Sequence, residues 1–177
     1  MDERCRVVAI LGLGGMGKSS LAIMLAHQVL AQFDLVLFRS LRNGPPLADV
    51  LDQTIGAVSD QQVAPPEQLG DKIARLIQLL RERRCLLILD NFEAVMQPGA
   101  PTGTYRTGYA EYGELLRALS EREHQSCLLL TSREKPAELG RTKAAAHRCA
   151  HCHSLVSTTA PATASWKPKT SPRLQPA

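Results

Sequence analysis

Residues 12–19 read Gly-Leu-Gly-Gly-Met-Gly-Lys-Ser and match the pattern G-x-x-x-x-G-K-S/T, the phosphate-binding P-loop. A β-branched apolar run at 7–11 precedes the motif, and apolar residues at helical spacing follow it over 20–26. Strand, glycine-rich loop and helix in this order are the context in which the pattern binds phosphate. The sequence therefore predicts a nucleotide phosphate site, against the alternative of a glycine-rich turn that ends by chance in Gly-Lys-Ser.

Each residue type in the motif has a physical role in holding phosphate. Glycines lack a Cβ atom, so the loop can curl its backbone N–H groups round an anion, and the following helix adds its positive dipole end. Lys18 is placed to reach the β- and γ-phosphates, and the Ser19 hydroxyl is placed to bind Mg²⁺. The predicted nucleotide-binding residues of the loop are Gly12, Leu13, Gly14, Gly15, Met16, Gly17, Lys18, Ser19 and Ser20.

A second apolar run, 86–89, ends in Asp90 and has the form of a Walker B strand. A continuous apolar run suits a strand that is covered on both faces of a parallel sheet. The carboxylate at its C-terminal end would lie beside the P-loop and hold Mg²⁺, through a water molecule. The alternative for Asp90 is a turn residue after a buried strand, and the P-loop upstream favours the metal role.

A third apolar run, 127–130, is followed by Thr131, Ser132 and Arg133. Parallel strands direct their C-terminal ends to the same crevice, so Arg133 could clamp the γ-phosphate. Judged from the residues alone, an ordinary solvated arginine is the simpler interpretation of Arg133.

Strands and helices alternate along the first 140 residues. Further strands and helices are predicted at 34–39, 47–56, 69–80 and 109–123, with a loop at 97–108. This order predicts an α/β fold: a P-loop NTPase-type three-layer α/β/α domain with a mostly parallel, incomplete sheet over residues 1–140. Residues 141–177 are low in complexity and are predicted to be a disordered tail.

Charge is divided unevenly between the two parts. Residues 1–140 contain 15 Lys and Arg against 17 Asp and Glu, a net charge of −2, whereas residues 141–177 contain six Lys and Arg and no acid. The total of +4 therefore does not indicate nucleic-acid binding, and the body shows no basic stripe with interleaved aromatic residues. No nucleic-acid partner is predicted.

Cellular location is predicted from apolar runs and cysteines. No run reaches membrane-spanning length, and the P-loop explains the apolar stretch near the N-terminus better than a signal peptide does. Cys5, Cys85 and Cys127 stand at the starts of three strands that should be neighbours, which indicates buried thiols in a reducing compartment. The expectation is a cytoplasmic protein with no membrane partner.

The tail contains Cys149-Ala150-His151-Cys152-His153, the C-x-x-C-H pattern of c-type haem attachment. Haem attachment needs an exported chain and a fold that covers the porphyrin, and the sequence predicts neither. Zinc binding by Cys149, Cys152 and His153 is a second possibility. A chance match within a low-complexity segment is the preferred interpretation.

The stretch Gly12–Ala22 resembles the P-loop of NB-ARC proteins, the STAND class of signalling ATPases. Residues 86–91 and 131–133 match two further motifs, and 38–43 with 131–136 are similar to bacterial members that carry WD or other repeats. The resemblance covers about residues 5–139. It implies a signal-transduction switch that is closed with ADP and opens for assembly with ATP, using Mg²⁺.

The resemblance also implies a role for one residue and a class of partners. In the family, the arginine of Thr-Ser-Arg senses the γ-phosphate. The resemblance therefore implies the same role for Arg133. Its implied partners are ADP or ATP, together with self-association or the effector domains of a longer parent protein.

Departures from the family pattern bear on catalysis. The family usually has an acidic residue directly after the Walker B Asp, whereas Asn91 stands here and Glu93 is the candidate water-activating base. The resemblance starts close to Met1 and stops near Leu139, before the family's helical lid, and the tail looks like a frameshifted end. Little or no hydrolysis is expected.

Two alternatives remain open. One is an active small P-loop ATPase, kinase or GTPase, although the base-reading pattern Asn-Lys-x-Asp of GTPases and the lid arginines of kinases are not recognisable. The other is a truncated product without an independent function.

Overall fold

The computed structural model describes residues 6–100 and 103–141. Strands and helices alternate through most of this range, with short 3₁₀ turns at Leu30–Gln32 and Phe92–Val95. In chain order the elements are β1 (Val7–Leu11), α1 (Lys18–Val29), β2 (Leu35–Ser40), α2 (Leu47–Val58), α3 (Leu69–Glu82), β3 (Cys85–Asp90), α4 (Glu111–Glu121), β4 (Cys127–Ser132) and α5 (Glu138–Arg141).

The four described strands form one sheet in the order β1-β4-β3-β2, and every neighbouring pair is parallel. The prediction of an α/β fold with a parallel sheet is therefore confirmed. Because all four strands run the same way, their carboxyl ends meet at one edge. Leu11 is in register with Ser132 and Ser40 with Asp90, which brings the residues that follow the apolar runs to that edge.

Helices cover both faces of the sheet. On one face, Ala22 and Ala26 of α1 are buried against the sheet residues Ile88 and Leu129. These small side chains let the helix that follows the P-loop approach the strands closely. The opposite face packs on α2, α3 and α4, whose apolar residues include Leu51, Ile55, Leu76, Leu80, Leu115 and Leu116.

An ion pair joins α2 and α3, two of the helices that pack on the same face of the sheet. Lys72 of α3 is buried and its Nζ lies 2.6 Å from Oδ2 of Asp52 on α2. A buried ammonium group requires such a partner, since desolvation of an unpaired charge is costly. The pair adds a polar contact to the apolar packing of α2 against α3.

Most predicted element bounds agree with the structure to within two residues. The predicted 97–108 loop is present in its described part and is closed by an antiparallel bridge between Met96 and Tyr105. The helix predicted from residue 109 begins instead at Glu111, because the Tyr109 N–H donates to the Arg106 carbonyl in a preceding turn.

Some predictions fall on the rest of the chain. The expected domain boundary at residue 140 lies within α5, while Cys5, the Cys149–His153 motif and the disorder predicted for residues 142–177 lie outside the described residues. Cys85 and Cys127 stand at the first positions of β3 and β4, and both are reduced. Burial raises the pKa of Cys85 to about 11, which keeps this thiol protonated.

Two tyrosines tie α4 and its preceding turn to the loop that follows β2. The Tyr109 hydroxyl donates to the Gly44 carbonyl at 2.6 Å, and the Tyr112 hydroxyl donates to the Pro45 carbonyl at 2.8 Å. The two rings stack with centroids 6.3 Å apart. These contacts fix the loop beside the carboxyl edge of the sheet. Among the described residues, no helix has the length and apolar character needed to cross a membrane.

Candidate nucleotide site

The P-loop joins β1 to α1 at the carboxyl edge of the sheet. The Gly12 N–H donates to the Ser132 carbonyl at 3.2 Å, which continues the β1–β4 ladder into the loop. Gly15 and Gly17 have φ angles of 79° and 78°, and an added Cβ would meet nothing within 4 Å at either position. Glycine is needed there for backbone conformation, because other residues adopt these angles only with strain.

The first turn of α1 points unsatisfied backbone donors towards the loop. The Leu21 N–H donates to the Gly17 carbonyl at 2.9 Å as the helix begins. The N–H groups of the three preceding residues, Lys18, Ser19 and Ser20, therefore lie ahead of the helical hydrogen-bond ladder. Such a helix start attracts anions through its free donors and its dipole.

Lys18 folds over the loop that precedes it. Its Nζ donates to the carbonyl of Gly12 at 2.8 Å and to the carbonyl of Leu13 at 2.9 Å. An ammonium group has three protons, so these contacts leave one donor for a ligand. The side chains of Leu13 and Met16 are 76% and 69% exposed, and Ser20 is also exposed, so the core holds none of these three.

Asp90 is the centre of a hydroxyl network that joins three elements. Its Oδ1 accepts hydrogen bonds from the hydroxyl of Ser19 and from the hydroxyl of Thr131, each at 2.6 Å. Thr131 in turn accepts from the Asn91 N–H at 3.1 Å. Asp90 is only 5% exposed, and both described bonds arrive at the same carboxylate oxygen. The arrangement places a hydroxyl and a carboxylate, both hard oxygen ligands, side by side.

Arg133 and Glu93 form an ion pair at the edge of the loop. Arg133 Nε lies 3.1 Å from Glu93 Oε1, and the Arg133 backbone N–H donates to Glu93 Oε2 at 3.3 Å. The guanidinium also lies against the P-loop, because a Cβ added at Gly14 would be 3.1 Å from Arg133 Cζ. Arg133 is thus held between the P-loop and the turn that follows β3.

The predicted site residues therefore meet in one place, although they are far apart in the sequence. Lys18 and Arg133 bring two positive charges, and Asp90 and Glu93 bring two negative ones. The four formal charges sum to zero (+2 − 2), so the loop and helix amides supply the remaining attraction for an anion.

Sequence reasoning missed two features of the site. Thr131 was treated as a strand end, yet its buried hydroxyl orients Asp90. Gly14 was interpreted as a glycine that can take a positive φ in the phosphate-binding loop, yet its φ is not positive and the missing Cβ instead admits the Arg133 guanidinium. A hydroxyl at the end of a strand beside a carboxylate-bearing strand is the signal that could have identified Thr131.

The described residues show no cluster of three or more His, Cys, Asp or Glu residues that could hold a metal ion. A magnesium site in a phosphate-binding protein does not need such a cluster, since this ion keeps several waters and takes one or two carboxylates together with phosphate oxygens. The Ser19 hydroxyl and the Asp90 carboxylate are oxygen ligands of the type that such a site uses.

The family model of the NACHT domain matches residues 6–162 of the chain. The match supports the STAND class and the P-loop NTPase fold, and it gives NACHT where the sequence resemblance indicated NB-ARC. It also extends past residue 140, the domain boundary expected from composition.

Two curated relatives are similar to the chain. An uncharacterized WD repeat-containing protein of Nostoc sp. is 41% identical over 149 residues, which are 79% of this chain and 12% of that protein. The regulatory protein AfsR of Streptomyces griseus is 33% identical over 105 residues, 54% of this chain and 11% of AfsR. The chain therefore spans about an eighth of the length of these relatives.

Among solved structures, the Aeropyrum pernix ORC1 protein, determined in complex with DNA, has a TM-score of 0.50 and 19% identity to the chain. The match covers 73% of this chain and 34% of that one. At this identity the likeness shows the fold alone.

Proposed function

Because the chain belongs to the NACHT family, we propose that it binds ADP or ATP with Mg²⁺ through its P-loop and hydrolyses ATP slowly or not at all. In this proposal the domain is the nucleotide-dependent switch of a longer signalling protein in the cytoplasm. The much greater length of its relatives supports the idea of attached effector or repeat domains.

One contact carries the proposal most directly. The Ser19 hydroxyl donates to Asp90 Oδ1 at 2.6 Å, across 71 residues of sequence. Ser19 ends the P-loop motif and Asp90 ends the Walker B strand, so two motifs that are far apart in the sequence meet side by side. Their meeting supports a shared ligand, since a hydroxyl and a carboxylate together suit Mg²⁺.

Charge supports the involvement of a cation. Asp90 is a buried carboxylate beside the predicted phosphate cradle, and it would repel the phosphates if its charge were unmatched. Ser19 and Asp90 would hold Mg²⁺, with Asp90 acting through a water molecule, and the ion would neutralise charge on the phosphate oxygens. Lys18 would give its third N–H to the β- and γ-phosphates, and Arg133 would contact the γ-phosphate.

Slow turnover is proposed from the residues that follow the Walker B strand. Asn91 cannot accept a proton as a base, and Glu93 is engaged with Arg133 through both carboxylate oxygens. Phosphoryl transfer needs a group that orients the attacking water besides the P-loop and Mg²⁺. Binding without rapid turnover suits a switch, because the bound nucleotide, ADP or ATP, then determines whether the protein is closed or open.

Thermal unfolding with and without nucleotide tests the proposal. A ligand present at a hundred times its Kd adds about 2.7 kcal/mol, which corresponds to a Tm increase of roughly 5–10 °C for a domain of this size. We expect this increase with Mg²⁺–ADP and Mg²⁺–ATP, and a smaller one with Mg²⁺–GTP, because the choice of adenine rests on the family resemblance. A Tm unchanged by all three nucleotides would contradict nucleotide binding, and a larger shift with GTP would contradict the choice of adenine.

A further inference from the structure

Glu93 contacts Arg133 at two separate points. Its Oε1 lies 3.1 Å from the side-chain Nε, and its Oε2 accepts from the backbone N–H at 3.3 Å. The Glu93 side chain is 16% exposed, whereas the Arg133 side chain is 61% exposed. The carboxylate is thus the fixed partner, and it restrains both the main chain and the first part of the guanidinium of Arg133.

The other side of the Arg133 guanidinium faces the P-loop. A Cβ added at Gly14 would lie 3.1 Å from Cζ and 3.2 Å from Nη2 of Arg133, closer than side chains normally approach. Gly14 does not have a positive φ, so the turn itself does not require glycine there. The missing Cβ provides the space in which the guanidinium lies.

The geometry points to Glu93 as a positioning residue for Arg133, which it fixes over Gly14 so that the terminal amino groups face the γ-phosphate of bound ATP. This inference rests on the proposed nucleotide binding and departs from the sequence-based assignment of Glu93 as a base. Nε is the guanidinium atom that pairs with Glu93, and the two terminal amino groups carry four of the five guanidinium donors.

Two physical arguments favour positioning over the alternatives. A general base must lie within hydrogen-bond reach of the attacking water, whereas the Glu93 carboxylate is directed at the side chain and the backbone N–H of Arg133 and its side chain is only 16% exposed. An ion pair with an exposed partner adds little to stability, so the pair is poorly explained as a structural contact. Holding a long side chain in its binding rotamer, by contrast, reduces the entropy lost when phosphate binds.

Calorimetry with two nucleotides separates these roles. We expect Arg133→Ala to weaken binding of the Mg²⁺ complex of β,γ-imido-ATP about ten- to hundredfold, the usual loss for a charge-assisted contact. Glu93→Ala should weaken the same binding roughly two- to tenfold, through the lost restraint on one side chain. Neither variant should change Mg²⁺–ADP binding by more than about twofold, since ADP lacks the γ-phosphate.

A double variant and a conservative variant complete the test. Glu93→Ala combined with Arg133→Ala should bind imido-ATP no more weakly than Arg133→Ala alone, because Glu93 acts only through Arg133. Glu93→Gln keeps an acceptor oxygen for one of the two contacts with Arg133 and should recover part of the affinity lost in Glu93→Ala. Glu134→Ala, which removes the same charge one residue beyond Arg133, is the matched control and should bind both nucleotides like the wild type.

Several results would overturn the inference. Unchanged or tighter imido-ATP binding by Glu93→Ala, additive losses in the double variant, or equal losses of ADP and imido-ATP affinity would each exclude the positioning role. In all of these cases the wild type still binds nucleotide, so the proposed function stands. A wild type that binds neither nucleotide would overturn the proposed function and this inference with it.

Discussion

Asp90 shows how a single buried residue can serve both the fold and a ligand. It is 5% exposed, and a carboxylate with so little access to water must receive hydrogen bonds from the protein. Ser19 and Thr131 supply them from two different elements, both to Oδ1. Oδ2 is therefore the oxygen that we expect to accept a metal-bound water.

Replacing Asp90 by Asn should raise the Mg²⁺ requirement without abolishing nucleotide binding. The amide oxygen can still accept from Ser19 and Thr131, but the negative charge that attracts the cation is lost. We expect the midpoint of a Mg²⁺ titration at fixed ADP to increase about tenfold, by analogy with other single charge-assisted contacts. Asp49→Asn, at an exposed position of α2, is the control. An unchanged midpoint in Asp90→Asn would assign Asp90 to structure alone.

The sequence indicated the residues of the motifs but not all of their contacts. Lys18, Ser19 and Asp90 could be chosen because their residue types and neighbours fit a known chemical pattern. Thr131 is signalled only by its place at the end of a neighbouring strand, and the Gly14–Arg133 contact has no sequence signal, because these contacts depend on the parallel register of β3 with β4 and on the rotamer of one long side chain. Tertiary geometry of this kind leaves no periodic signal along the chain.

At the scale of elements, α4 and the turn before it fix the loop that follows β2. Tyr112 is fully buried, and its hydroxyl donates to the Pro45 carbonyl at 2.8 Å. Burial is the main cause of its raised pKa, which keeps the hydroxyl protonated and able to donate. Phe92 packs edge-on against the same ring, with centroids 5.8 Å apart. The ring and the hydroxyl contribute separately to the contact.

Tyr112→Phe should lower the free energy of unfolding by about 1–3 kcal/mol, because the Pro45 carbonyl loses its donor in a partly buried place. Tyr112→Ala should cost more, about 3–5 kcal/mol, since it also leaves a cavity. Denaturant unfolding of both variants measures these losses. Equal stability of Tyr112→Phe and the wild type would show that water replaces the hydroxyl at no cost.

Element positions were predictable where apolar patterning is strong. The apolar runs place β1, β3 and β4, and the polar residues at the ends of β3 and β4 extend these two strands by one or two residues beyond the runs. The helix was predicted to begin at Tyr109, on the helical spacing of Leu115, Leu116 and Leu119. A turn closed by the Tyr109 N–H and the Arg106 carbonyl delays the helix to Glu111.

At the scale of the whole molecule, the order of strands and helices was enough to predict the fold class. Alternation of the two predicts a parallel sheet with helices on both faces, and the sheet order β1-β4-β3-β2 agrees. The family was harder to choose. The resemblance over about residues 5–139 indicated NB-ARC on the P-loop and two further motifs, whereas the family model that matches residues 6–162 is NACHT.

The chain should release phosphate from ATP much more slowly than a typical enzyme. Asn91 cannot act as a base, and the Glu93 carboxylate is paired with Arg133. Phosphate release under saturating Mg²⁺–ATP measures the rate, and Lys18→Ala gives the background. A Lys18-dependent rate of the order of 1 s⁻¹, within the usual enzyme range, would show that the domain is an active ATPase.

Calorimetric titration of Mg²⁺–ADP into the wild type and Lys18→Ala tests nucleotide binding by the P-loop most directly. Lys18 Nζ is held over the loop by the carbonyls of Gly12 and Leu13, with one donor left for phosphate. The account predicts binding by the wild type and a loss of about ten- to hundredfold in Lys18→Ala. Lys135→Ala, an exposed lysine beyond β4, should bind like the wild type. Equal ADP affinity in the wild type and Lys18→Ala would contradict the account.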